Sequence, residues 1–337
     1  MSYTLFVTEE ALEGSNGASI NSEGTYKVLS SLGQCDLIEG NRFAVPDIFS
    51  SKFNSNYDLL WLRGLFSTFI VQSFKKSFTV YDINGILHEE HKLKGGNKLE
   101  CMFIQKLQKH CANHADVVKV HTENMKNYFI DCGVSSDFIK VPPIIDISRY
   151  PYIQKDFFSN DTINVGYSGS VRQWQGIANI FEAAEFLKDK TNVNFSLIGP
   201  NKKDIPLNSK NIRLLNKCSH HTYVSQILPK FDLFVIPRPS NLVTETTTPI
   251  KLIEAMASGV PVIASDVGGI NEYVKHNRNV FLVEPDNPEA LANAILKLSE
   301  NPNHAKKLSK NAREVSELTF DYNEVSKHVR RVLDNYL

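Results

Sequence analysis

Lys251 and Glu254 stand three residues apart in RPSNLVTETTTPIKLIEAMASGVPVIASDVGG, the run from Arg238 to Gly269. The run predicts a helix starting at Pro249 with Thr248 as its cap, because a ring-locked φ suits a first position whose N–H needs no partner. Down that helix Ile250, Ile253 and Met256 or Ala257 form the apolar stripe, while Lys251 and Glu254 share another face. N–H groups at the helix start, with Lys251, make a seat for a phosphate. Glu254, a turn deeper, can accept hydrogen bonds from hydroxyls of the same ligand. A plain solvated ion pair between the two is the competing reading. The small residues Ala255, Ala257, Ser258 and Gly259 favour close approach by a ligand or another backbone.

Other groups in this half fit the same chemistry. VGYSGSVRQWQGI follows a strand pattern and precedes a helix pattern, so Gly169 brings N–H groups near an anion and Arg172 adds a charged fork. Arg238 ends the strand pattern FDLFVIPR and becomes a phosphate candidate through its neighbourhood with TETTTPIK. Glu245, Thr246, Thr247 and Thr248 are a dense set of hydrogen-bonding groups suited to ligand hydroxyls. In the first half, LEGSNGAS places Gly14 and Gly17 between a strand and a helix, where the chain can approach a ligand closely. VYDINGILHEE puts Asp82, Asn84, His88 and Glu89 at the carboxyl end of a strand, and Glu123 opens a helix in VHTENMKNYF, where an acid matches the dipole.

TPIKLIEAMASGVPVIASDVGGINEYV resembles the donor-site segment of the family-four retaining glycosyltransferases, which have the two-domain GT-B fold. That family carries two glutamates separated by seven residues. Glu254 matches the second, whereas the first position holds Thr246 and the nearest glutamate is Glu245, so this chain resembles a variant subset with an IPR…TE…TP.K..EAMA pattern. The resemblance implies that Arg172 grips the donor pyrophosphate, that Gln175 stands where a second basic residue is usual, and that Lys251 or Arg238 takes over its charge. It places the nucleobase near Gly199, Pro200 and Asn216, largely on backbone contacts. Gly14 and Gly17 would approach the donor phosphates or the acceptor, and Asp82, Asn84, His88, Glu89 and Glu123 would lie on the acceptor side. Catalytic roles are expected for Arg172, Lys251, Asp82, Asn84 and His88. Donor binding is expected of Gly14, Gly17, Gly169, Gly199, Pro200, Asn216, Arg238, Glu245, Thr246, Thr248, Pro249 and Glu254.

The elements that must position these groups read as two tandem doubly wound α/β domains with a cleft between them. Strand patterns TLFVT, DLIEG, LLWLRG, FTVYDI and DVVKVHT alternate with helical ones in the first half, and INVGYSG, NFSLIGP, NIRLLN, FDLFVIPR, PVIASD and NVFLVEP do so in the second. FIKVPPIIDISRYPY runs extended between them. Boundaries are expected at residues 1–157, 158–319 and 320–337, the last being a helix that, by the resemblance, crosses back to the first domain.

A chain of 337 residues, 42% hydrophobic and 22% charged, is a globular protein long enough for two domains. Lys plus Arg equals Asp plus Glu at 37 each, which disfavours nucleic acid as a partner. Five scattered cysteines without Cys-x-x-Cys spacing indicate free thiols, and no metal ligand set is visible. MSYTLFVTEEALEG lacks the form of a signal peptide and no apolar run could span a bilayer, so a cytoplasmic protein is expected. GLFSTFIVQSFKKSF, with Lys75 and Lys76, is read first as a core-packing helix. Its alternative, an interfacial helix, would add peripheral attachment at the inner face of the membrane.

The function expected from these readings is a metal-independent, hexosyltransferase-type enzyme. It moves a sugar from a UDP- or GDP-linked donor to a glycan or lipid-linked acceptor in surface polysaccharide biosynthesis, with no cofactor. A nucleotide-sugar 2-epimerase of the same fold, or a silent nucleotide-sugar-binding partner subunit, are the alternatives.

Overall fold

The computed structural model describes residues 3–14, 16–40, 56–74, 77–153, 155–189, 192–206 and 209–337; Lys75 and Lys76 fall outside them. The chain forms two compact units. The first comprises Met1–Asp146, Thr246–Ile250 and Thr319–Leu337, the second Ile147–Glu245 and Lys251–Leu318.

The first unit carries a parallel sheet of strands β1 (Thr4–Thr8), β2 (Cys35–Glu39), β3 (Leu59–Arg63), β4 (Phe78–Asp82), β5 (Val117–Val120) and β6 (Asp137–Lys140), in the order β2-β1-β3-β4-β5-β6. The central strands are continuous apolar runs because both faces are covered. Alternation along β1 divides the core. Phe6 joins Trp61, Val80 and the α1 (Gly17–Leu32) residues Val28 and Leu29 on one face. Leu5 and Val7 join Leu60, Leu62 and the α2 (Leu65–Phe74) residue Val71 on the other. Helices α3 (Leu87–Leu93), α4 (Lys98–Asn113) and α5 (Glu123–Asp131) complete the crossovers. The closing helix Tyr322–Leu333 packs Val325, Val329 and Leu333 into the α1 face.

The second unit repeats the plan with β7 (Ile163–Ser168), β8 (Val193–Ile198), β9 (Ile212–Leu214), β10 (Leu233–Ile236), β11 (Val262–Ser265) and β12 (Phe281–Val283), ordered β12-β11-β10-β7-β8-β9. Its helices are α6 (Ile177–Leu187), α7 (Leu242–Thr246), α8 (Ile250–Ala257), α9 (Gly268–Asn271), α10 (Pro288–Ser299) and α11 (Pro302–Thr319). Strand order reverses at β7, so the segments leaving β7 and β10 diverge at a topological switch point, where doubly wound sheets bind ligands.

Local departures from the sequence reading have physical causes. The polar run after β4 is not open loop but α3, with Glu89 and Glu90 in its first turn and the Leu87 N–H donating to Gln108 at 3.2 Å. The TETTT segment likewise begins inside a helix, α7, whose first N–H groups donate to the Asn241 side chain. Helix α8 starts at Ile250, one residue later than expected, and Thr248 does not cap it: its hydroxyl is buried and makes no hydrogen bond among the described residues. FIKVPP is partly a true strand, β6, paired with β5.

Candidate active site

Helix α8 supplies the two side chains at the centre of the second unit's site, and neither is paired with the other. Lys251 Nζ donates to Gln175 Oε1 at 2.7 Å and lies 5.0 Å from the centre of the Tyr167 ring. A Cβ at Gly169 would stand 2.2 Å from Lys251 Nζ and 2.9 Å from the Tyr167 hydroxyl, so only glycine leaves room for the amine beside the end of β7. Gly176 makes a second close approach: at φ +67° its Cβ would meet the Pro237 carbonyl at 1.7 Å, which locks the segment after β7 against the segment after β10. Gly199, after β8, abuts the Gly169 carbonyl in the same way.

Burial pushes the Lys251 amine down to about 7, with the positive charge of Arg238 acting in the same direction and Glu254 opposing both. Arg238 is itself only 3% exposed. Two positive charges in a poorly solvated place repel each other, and an anion bound beside Lys251 would favour its ammonium form. Such an arrangement can seat a phosphate or diphosphate.

Glu254, 5% exposed, is held by residues from distant parts of the chain. Its Oε1 accepts a hydrogen bond from His220 Nε2 at 2.6 Å and another from the Tyr150 hydroxyl at 3.2 Å. The phenols of Tyr150 and Tyr223 are pushed well up, first by burial and then by the Glu254 carboxylate. Among the described residues Oε2 accepts no hydrogen bond, so one oxygen is anchored and the other can receive a ligand hydroxyl. Sequence reading missed these partners. His220 and Tyr150 carry no local signal for this role, and Gln175, which stands where a basic residue is usual, is the acceptor that aims Lys251.

The pairing of a buried amine with a half-anchored carboxylate suits a ligand carrying both phosphate and hydroxyls. Residues 151–315 match the family Glycosyl transferases group 1. The matched residues lie nearly all in the second unit. The chain is similar to the N,N'-diacetylbacillosaminyl-diphospho-undecaprenol alpha-1,3-N-acetylgalactosaminyltransferase of Campylobacter jejuni, at 22% identity over 83% of this chain and 71% of that one. Among solved structures, sucrose-phosphate synthase from Thermosynechococcus elongatus superposes with a TM-score of 0.79 at 15% identity, covering 99% of this chain and 98% of that one. HepE from Anabaena in complex with UDP-glucose gives 0.76 at 18% identity, covering 99% and 100%. The fold is GT-B.

Arg172 is exposed, its guanidinium lying 5.2 Å from the Trp174 ring centre. Asn216 is exposed beyond β9, and Pro200 follows Gly199 after β8. Glu245 is engaged within the protein: one carboxylate oxygen accepts from Ser240 Oγ and the other from the Gly268 N–H, both at 2.7 Å, so it satisfies the start of α9. Thr246 is buried and its carbonyl accepts the Thr122 hydroxyl at 2.7 Å. Pro249 directly precedes α8.

In the first unit, Gly17 opens α1 behind an Asn16 cap, and its Cβ would stand 3.3 Å from the Ile250 side chain; a Cβ at Gly14 would collide with Ser19 Oγ. Asp82 is not available for catalysis in the way the sequence suggested. It accepts from Arg63 Nη1 at 2.9 Å and Trp61 Nε1 at 3.1 Å and pairs with Lys119 Nζ at 2.9 Å, all fully buried. Burial pushes its carboxyl up, but Lys119 and Arg63 outweigh that and hold it well below the usual carboxylate range. His88 is 8% exposed, with Nε2 3.3 Å from the Tyr128 hydroxyl, and burial lowers its basicity. Asn84 Oδ1 is buried and has no hydrogen-bond partner among the described residues. Glu89 faces Lys92 at 3.3 Å and His88 at 3.7 Å, and Glu123 pairs with Lys126 at 2.8 Å in the first turn of α5. These residues share the carboxyl side of the sheet but do not converge on one atom.

Proposed function

We propose that the protein is a retaining glycosyltransferase that moves a sugar from a nucleotide diphosphate sugar to a glycan or lipid-linked acceptor in surface polysaccharide biosynthesis. The observation that carries the proposal is the α8 pair: Lys251 beside Gly169 and Arg238, and Glu254 with one anchored and one unengaged oxygen. In this reading Lys251 and Arg238 meet the donor diphosphate. Glu254 Oε2 accepts from ribose or sugar hydroxyls, and His220 and Tyr150 keep that carboxylate aimed. The acceptor hydroxyl attacks on the leaving face of the donor, and chemistry rests on positioning and on stabilising the departing phosphate. The Campylobacter transferase, named for an undecaprenol-linked acceptor, and the HepE complex with UDP-glucose support an undecaprenol-linked acceptor class and a UDP-linked donor. Incubation with nucleotide sugars and lipid-linked or oligosaccharide acceptors, with the anomer read by NMR, tests the proposal; a product of inverted anomeric configuration would refute the retaining course.

Two expected results follow. Glu254→Gln keeps the shape but weakens the acceptor atom, so nucleotide-sugar affinity measured by calorimetry falls by about tenfold while the melting temperature stays close to wild type; unchanged affinity would remove Glu254 from the site. Because protein cations take up the diphosphate charge, transfer survives EDTA. Turnover that vanished on chelation and returned with Mg²⁺ or Mn²⁺ would contradict this scheme.

A further inference from the structure

Helix α4 presents an unusual outer face. Leu99 is 78% exposed, Met102 43% and Phe103 59%. At spacings of three and four these residues form one ridge, and Lys106 and Lys109 continue the same stripe along the helix. Lys98 flanks its other end. None of Lys98, Lys106 and Lys109 forms an ion pair among the described residues, whereas Glu100, the acid in the first turn, is drawn onto His91 at 2.7 Å and the Asn97 N–H. Phe69 of α2, 40% exposed, lies beside the end of the stripe with its ring centre 5.7 Å from that of His110.

Most of α2 does not share this character. Leu65 and Val71 are buried, so the stretch around Phe69 is a core-packing helix, and the exposed apolar surface belongs to α4. A buried helix gains from its apolar face; a ridge of Leu, Met and Phe left in water gains nothing until something covers it. The unpaired lysines say what. An apolar ridge continued by uncompensated positive charge is complementary to a bilayer surface, where the ridge enters the acyl boundary and the lysines remain with anionic headgroups.

We infer that the outer face of α4 is a docking surface for an anionic lipid bilayer, with Leu99, Met102 and Phe103 inserted and Lys98, Lys106 and Lys109 at the headgroups. This rests on the helix alone and stands or falls separately from the proposed transfer reaction. The test is co-sedimentation of the full chain with phosphatidylcholine vesicles, with and without phosphatidylglycerol, at low and high salt. At about a fivefold gain per lysine near the surface, partition onto the anionic vesicles should exceed that onto neutral ones by on the order of a hundredfold and weaken with salt. It should be lost in Leu99→Ser/Met102→Ser/Phe103→Ser and in Lys98→Glu/Lys106→Glu/Lys109→Glu. Both variants alter solvent-facing positions, and unchanged circular dichroism and nucleotide binding confirm that each is folded. Absence of vesicle binding, or binding that neither variant alters, would overturn the inference. So would dimerisation seen by light scattering that the apolar variant abolishes while vesicles recruit no protein, since the ridge would then be a subunit interface.

Discussion

Lys251→Ala is expected to lower kcat by on the order of a hundredfold or more, with a smaller change in donor KM. Negative charge grows on the leaving phosphate as the bond to the sugar breaks, so a cation already aimed there is worth more in the transition state than in the ground state. Lys251 is aimed: its amine is fixed by Gln175 at 2.7 Å and occupies the gap that Gly169 leaves. Gln175→Ala should reproduce part of the loss without removing any charge, which separates aiming from charge. The pH dependence has a definite sign. The free amine sits at about 7 because of burial and Arg238. A diphosphate favours the ammonium form, so donor binding takes up a proton and weakens as pH rises above that value. Steady-state kinetics with both substrates varied checks the first point, and a near wild-type kcat would place Lys251 outside the chemistry.

Asp82→Ala should destabilise the fold by about 3–5 kcal/mol, the cost of leaving buried charges unpaired. Arg63 and Lys119 would face each other with no carboxylate between them. Because the Asp82 carboxyl lies below its unfolded value, its contribution is complete above that unfolded value and is lost only as acid takes the pH down through the folded one. Lys119 acts oppositely. Burial pushes its amine down to about 8, so the unfolded chain binds the extra proton between there and 10.5, and its contribution to stability improves as pH rises through that window. Urea denaturation of the variant reads the effect directly. A catalytic Asp82 would give the reverse pattern, full stability with lost turnover.

The strands other than β6 were legible because they are short, largely apolar runs bounded by turn residues, and the α8 segment was legible because Lys251 and Glu254 lie within one helical turn. What those side chains touch was not, since Gln175 is 76 positions from Lys251 and Tyr150 is 104 from Glu254. Periodicity carries no information over such separations. The Asp82 cluster did leave a trace. Arg63 pairs in register with Asp82, and Asp82 with Lys119, so three successive apolar strands each carry one charge at the same level. A lone polar residue near a strand end suggested chemistry; three of alternating sign across neighbouring strands indicate an internal ion cluster. Helix α3 escaped because it is a single seven-residue element whose preceding residue, Ile86, is no capping residue. Glu245 looked free to meet a sugar because the N–H it satisfies, at Gly268, lies 23 positions downstream.

The central claim, that the second unit binds a nucleotide diphosphate through Lys251 and Glu254, is tested most directly by calorimetric titration of the wild-type protein with UDP, GDP, ADP and CMP. One nucleoside diphosphate is predicted to bind with proton uptake, seen as heats that differ between buffers of different ionisation enthalpy, and with affinity that declines as pH rises above about 7. Absence of binding by all four, or binding that is independent of pH across this range, would contradict it.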